Sequence, residues 1–243
     1  MPEKCAHQAN GDGCGAFAAC RRCRVSLLCR FKSTAVPGVT LVKHRRRLRR
    51  GELLFRQGDA FEALHTVCSG AIKTVVTEAG TASQTTGFFI PGELVGVAGL
   101  KARRHTANAV ALEATEVSDI QFRSIIDAIE VEPLLRRILF QILSEQLAHD
   151  EDVLRSLVGK KAAVERLSAY LLSLARRYEA RGFPATELPL AMSRNDISNY
   201  LGLAKETVCR LLARFTKEGL LSVDAHRLRI HDRARLALLA NSV

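Results

Sequence analysis

From Arg50 to about Phe122 the chain alternates short apolar runs with turns at Gly51, Gly58-Asp59, Gly70, Gly80, Pro91-Gly92 and Gly96. Glu52-Leu53-Leu54-Phe55, Ala71-Ile72-Lys73-Thr74-Val75-Val76 and Thr85-Thr86-Gly87-Phe88-Phe89-Ile90 have the length of strands and are bounded by turn residues. Many short strands at roughly ten-residue spacing predict an antiparallel roll or barrel.

After Pro133 the period changes. Phe140, Leu143, Leu147, Asp150, Leu154 and Leu157 recur in steps of three and four, the a/d seam of a coiled coil, on a helix predicted to last to about Val158. The aspartate on this seam has two readings. Either the helix lies on its own domain's core with Asp150 at the solvent edge, or it pairs with a second copy and brings two Asp150 carboxylates face to face. Their repulsion would be about 1–4 kcal/mol at effective dielectrics of about 80 to 20. A dimer through Leu143, Leu147, Asp150 and Leu154 would then be weak and switchable. A further helix is predicted from about Ala162 to Glu179, with Val164, Leu167, Tyr170, Leu171, Leu174 and Ala175 on one face, ended by Gly182-Phe183-Pro184.

The segment from Ser193 to Phe215 has the anatomy of a helix-turn-helix. Ser193 can cap the first helix, with Asp196 three residues on as the reciprocal partner, and Gly202 stands where the chain leaves that helix and needs positive φ. The next helix buries Val208, Leu211, Leu212 and Phe215, which turns Lys205, Glu206, Cys209, Arg210 and Arg214 outward. Ser222 to Ile230 reads as a two-stranded wing with Arg227 near its tip. Arg matches the paired acceptors of guanine and Glu can accept from the cytosine amino group, so Glu206 and Arg210, one turn apart, can read neighbouring bases. Lys205, Arg214 and Arg227 suit phosphates, and Ser193 is a further candidate for contact with DNA. Cys209 is a weak hydrogen-bond donor at the same face and an oxidisable thiol. Ala204 leaves the second helix without a side-chain cap, a loss of about 1 kcal/mol.

Charge sharpens this picture. The 243 residues carry 36 Lys and Arg against 25 Asp and Glu, and the excess is uneven: +10 over residues 1–50, −3 over 51–192 and +4 over 193–243. The run Lys43-His44-Arg45-Arg46-Arg47-Leu48-Arg49-Arg50 reads as a solvated strand edge or a second phosphate patch. A hydrophobic fraction of 47% excludes wholesale disorder. No apolar run approaches the roughly 18 to 20 residues of a bilayer span, and no export segment is visible, so a cytoplasmic protein away from membranes is expected. No nucleophile elbow, phosphate loop or paired-carboxylate pattern points to catalysis. Seven cysteines stand at positions 5, 14, 20, 23, 29, 68 and 209, and their crowding before residue 30 reads as metal or redox chemistry in a reducing compartment.

In order along the chain, Cys20-x2-Cys23-x5-Cys29, Gly51-Glu52-x-Leu54-Phe55-x-x-Gly58-Asp59, Ser69-Gly70-x-Ile72-Lys73, Thr86-Gly87-Phe88, Gly92-Glu93-Leu94-Val95-Gly96, Glu165-Arg166-Leu167 and Asp196-Ile197-x-Asn199-Tyr200-Leu201-Gly202-Leu203-x-x-Glu206-Thr207-Val208-x-Arg210-Leu211-Leu212 resemble the CRP/FNR superfamily of transcription regulators, in its oxygen-responsive FNR-like group. The resemblance implies an α+β chain: a Cys-rich sensor segment (1–34), an antiparallel β-roll of the jelly-roll, cyclic-nucleotide-binding type (35–133), a dimerisation helix (134–160) and a winged helix-turn-helix (161–243). It further implies a homodimer on a two-fold symmetric, FNR-type site in double-stranded DNA, with RNA polymerase as a partner. The cyclic-nucleotide branch is disfavoured, because Val97 and His105-Thr106 stand where a ribose-binding Glu and a phosphate-binding Arg would be.

In FNR-like proteins a [4Fe-4S] cluster promotes dimerisation and oxygen destroys it. The resemblance places three ligands at Cys20, Cys23 and Cys29, and a fourth at the position held here by Ser118. Cys14 is the nearest substitute in sequence; Cys68 would serve if the fold brings it near; Cys5, Ser118 or Asp119 are further candidates. Arg21, Arg22, Arg24 and Arg30 suit an anionic cluster but equally a thiol switch. Zinc on Cys14, Cys20, Cys23 and Cys29, or an unstructured basic tail with idle thiols, also accommodate the spacing.

Overall fold

The structure, a computed structural model, describes residues 41–241 except 79, 81, 159–161 and 185. Strands β1 (Val42–Leu48), β2 (Leu53–Phe55), β3 (Ala63–Ser69), β4 (Ile72–Val76), β5 (Gln84–Phe89), β6 (Leu94–Val95), β7 (Asn108–Ala111) and β8 (Thr115–Gln121) form two antiparallel sheets, ordered β1-β8-β3-β6 and β2-β7-β4-β5. The short helix α1 (Gly99–Ala102) sits between β6 and β7. The predicted roll is therefore present. Its turns explain the glycines: Gly70, between β3 and β4, has φ of 78°, and a Cβ there would lie 2.5 Å from Thr115 Oγ1 and 2.6 Å from the Ala114 carbonyl. Only glycine fits.

Period-two alternation divides each strand between two environments. Val67 of β3 and Val117 of β8 face the interior of the roll with Leu48, Phe55, Ile72 and Ala109. Leu64 and Ile120, three residues along each strand, face outward and are covered by two helices that follow β8, α2 (Phe122–Val131) and α3 (Pro133–Val158). Helix α2 was not foreseen, because its ten residues carry neither an N-terminal side-chain cap nor a glycine stop.

Helix α3 starts at Pro133, whose missing N–H costs nothing in the first turn. Leu135, Ile138, Leu139 and Ile142 pack on the outer sheet face. Another edge of the helix leaves Phe140, Leu147 and Leu154 at 65%, 62% and 59% exposure, seven residues apart. The reading in which this seam rests on its own domain's core is therefore wrong for these three residues: a different face does that. Leu143 is half-buried, and Asp150 is exposed and accepts from Gln146 Nε2 at 2.9 Å.

The remaining core joins α4 (Ala163–Glu179), β9 (Glu187–Pro189), α5 (Arg194–Leu201), α6 (Lys205–Lys217), β10 (Leu221–Asp224), β11 (Arg227–Ile230) and α7 (Arg233–Ala240). Strand β9 turns the expected two-stranded wing into a sheet ordered β10-β11-β9. Phe88 and Ile90 of the roll belong to the same core. Among the described residues no helix is long and apolar enough to cross a membrane.

Candidate nucleic-acid interface and sensor region

Local chemistry builds the reading unit. Ser193 Oγ accepts from the Asp196 amide at 3.1 Å while Asp196 Oδ2 accepts from the Ser193 amide at 3.0 Å, a reciprocal cap at the start of α5. Gly202 ends that helix at φ 62°. Helix α6 buries Val208, Leu211, Leu212 and Phe215 and leaves Lys205, Glu206, Cys209, Arg210 and Arg214 exposed. Its N-cap, Ala204, makes no side-chain hydrogen bond.

Two expected phosphate contacts carry carboxylate partners within the chain. Arg214 Nε donates to Glu218 at 2.7 Å, and Arg227 donates to Glu187, on β9, at 2.9 Å. Such exposed pairs are worth about 0–1 kcal/mol, so either arginine can exchange its carboxylate for a phosphate at little cost. The Ser193 hydroxyl also donates to Asp196 Oδ2 at 2.6 Å, which commits it to the cap.

The roll itself holds the reading unit in place. Lys73 Nζ, on β4, reaches Asp196 Oδ1, and Asn199 of α5 accepts from the Thr85 amide and donates to the Ser83 carbonyl at 2.9 Å. Burial pushes the Asp196 carboxyl up, but Lys73 and Ser193 outweigh it and hold the group below the usual carboxylate range. Beside this contact, Phe88 of β5 packs against Tyr200 and Tyr170, with ring centroids 5.0 and 6.1 Å away. Beneath it, Glu93 accepts from Arg177 Nε at 2.9 Å and pairs with Arg181 at 2.8 Å, the three side chains keeping only 10–13% exposure. None of these long-range pairs has a local signal in the sequence.

Inside the roll, Asp119 accepts from Arg46 Nη2 at 3.2 Å and from His65 Nδ1 at 2.8 Å. Arg46 is thus drawn out of the basic run expected to be solvent-facing, and Asp119 is engaged rather than open as an oxygen ligand. The ring of His105 stacks on Phe55 with centroids 3.6 Å apart, and its Nδ1 is buried without a hydrogen-bond partner among the described residues. Burial and, secondarily, His65 push His105 from 6.5 down to about 4, against a smaller upward pull from Asp59. The unfolded chain therefore takes up a proton that the folded chain refuses. Stability is expected to fall by up to about 3 kcal/mol as pH drops from about 6.5 to 4, and His105→Phe is expected to flatten that part of the curve in urea titrations.

Cys14, Cys20, Cys23 and Cys29, with Cys5, lie outside the described residues. Among the described residues no group of three metal-binding side chains occurs. One thiol of the roll lies beside Ser118, the position to which the resemblance assigns the fourth ligand. Cys68 Sγ is 3.1 Å from Ser118 Oγ, and Ser118 is buried. A soft donor beside position 118 suits the donor chemistry of such a cluster.

Residues 45–131 match the cyclic nucleotide-binding domain family and residues 165–239 match the Crp-like helix-turn-helix domain family. The chain is 42% identical over 228 residues to the transcriptional activator protein anr of Pseudomonas aeruginosa, covering 92% of this chain and 93% of that one. It is 35% identical to the fumarate and nitrate reduction regulatory protein of Escherichia coli, covering 99% and 97%. The structure of FixK2 from Bradyrhizobium japonicum superimposes with a TM-score of 0.75 at 29% identity, over 84% of this chain and 100% of that one. Sequence, fold and helix-turn-helix agree that this chain belongs to the CRP/FNR family of transcription regulators, whose members are not enzymes.

Proposed function

We propose that the protein is a dimeric, sequence-specific DNA-binding regulator whose N-terminal cysteines couple oxygen to dimerisation through an iron–sulfur cluster. The observation that carries the DNA-binding part is the exposed row Lys205, Glu206, Cys209 and Arg210 on α6, beside a wing bearing Arg227 and Arg229. Glu206 and Arg210 read base edges; Lys205, Arg214 and Arg227 bind phosphates. Two copies place their α6 helices on one two-fold symmetric site by pairing along Phe140, Leu147, Asp150 and Leu154 of α3. RNA polymerase is the partner through which bound protein acts.

Cys20, Cys23 and Cys29 hold the cluster, with a fourth donor from Cys14 or the roll. Bound there, the cluster supplies an anionic, oxygen-labile group. The roll supports a link from such a site to dimerisation. Ser118 and Cys68 share the outer sheet face with Leu64 and Ile120, and that face also carries the inner side of α3. A contact that exists only in the loaded state offsets the Asp150 repulsion and shifts monomer toward dimer. Cyclic AMP has no part in this reading, since a neutral, buried imidazole stands at position 105 and offers no cationic fork to a cyclic phosphate.

Titrating anaerobically purified protein onto a fluorescent duplex of two FNR-type half-sites, at two salt concentrations, tests the DNA-binding part. Affinity is expected to fall steeply with salt, and Arg210→Ala to cost about 1–3 kcal/mol with relaxed preference at one base pair. Equal affinity for the half-sites and a scrambled duplex would refute sequence-specific reading.

A further inference from the structure

We infer that Cys68, on β3, is the fourth thiolate ligand of the iron–sulfur site, taking the place of a thiol at position 118; this rests on the iron–sulfur reading above. The sequence supplies three cysteines at cluster spacing, Cys20, Cys23 and Cys29, and such clusters are held by four soft thiolates, to which a serine hydroxyl is a poor match. Thr66 of β3 lies directly opposite Ser118 of β8, so Cys68, two residues along, is a diagonal neighbour on the same face. The pairing shifts between Val67 and Ser69, making Cys68 the extra residue of a β-bulge. That kink brings its Sγ to 3.1 Å from Ser118 Oγ.

At this separation the two side chains compete for one place. Non-bonded atoms settle at about 3.5–4 Å, so a second sulfur at position 118 would crowd Cys68. The thiol has moved one strand over, and the small hydroxyl of Ser118 leaves it room. Arg45 of β1 stands opposite Ser118 on the other side, placing a cationic residue on the same face as the anionic site. On binding, the Cys68 thiol gives its proton to solvent and its sulfur bonds iron. Cys209, the other cysteine among the described residues, is exposed on α6, the helix assigned to DNA.

The test is anaerobic reconstitution of the full-length protein with equal amounts of ferrous and ferric iron and with sulfide, followed by iron and sulfide quantification and absorbance near 400 nm. The wild-type protein and Cys14→Ser are expected to hold about four irons and four sulfides per chain. Cys68→Ser is expected to lose both and the absorbance band, while keeping its thermal melt. The double variant Cys68→Ser/Ser118→Cys, which returns the thiol to β8, is expected to regain them. Full iron and sulfide in Cys68→Ser would overturn the assignment and leave the iron–sulfur reading standing, whereas a wild-type protein that takes up neither would overturn both.

Discussion

Replacing Glu93 with alanine is expected to cost the fold about 3–5 kcal/mol, the range for removing one partner of a buried charge pair. Glu93 accepts from Arg177 and pairs with Arg181, and its Oε2 also accepts from the Ile90 amide at 2.9 Å. Burial pushes its carboxyl up, but Arg177 and Arg181 outweigh this and hold it below the usual range, while Glu93 in turn raises Arg177. Without the carboxylate two guanidinium groups, each only 12–13% exposed, stay uncompensated between roll and reading unit. For a chain of this size the melting temperature is expected to drop by about 10 °C. Glu93→Gln separates charge from hydrogen bonding. A melt shifted by no more than a degree would show that solvent reaches the arginines. Because Glu93 and Asp196 both have depressed pKa values, their stabilisation is complete above the ordinary carboxylate range and is lost as pH falls through the depressed values. Acid thus weakens the joint that holds α5 to the roll.

Replacing Asp150 with alanine is expected to produce a stable dimer in air. The carboxylate sits on the exposed seam between Leu147 and Leu154, so pairing two copies confronts two negative charges. Removing a repulsion of about 1–4 kcal/mol strengthens dimerisation roughly 5-fold to 1,000-fold. Sedimentation velocity of the aerobic protein at micromolar concentration reads this directly, and Asp150→Asn checks that charge rather than helix propensity is responsible. An Asp150→Ala protein that remains as monomeric as the wild type would remove Asp150 from the switch.

Where structure depends on neighbours in sequence, it was legible. The heptad positions of α3, the Ser193–Asp196 cap, the Gly202 stop and the buried face of α6 follow from spacing alone, because each is decided within one or two helical turns. The β-roll was legible from its turn glycines. Contacts that join distant segments were not. Arg177 and Glu93 are 84 residues apart, and Lys73 and Asp196 are 123 apart. Arg46 stood in a run of arginines that looked uniformly solvated, and only strand register turns it toward Asp119. The nearness of Cys68 to Ser118 likewise depends on pairing and a bulge, neither of which composition encodes.

The Asn199 contact with Thr85 has a consequence for the life of the protein in a crowded cell. Strand β5 is an outer strand of its sheet, and its amide at Thr85 is occupied by a side chain of α5. An uncovered strand of this kind invites a foreign chain to add itself and begin an aggregate. The helix that orients DNA reading is thus also a lid on a sticky margin. Damage that frees it would threaten the protein's persistence as well as its regulatory output.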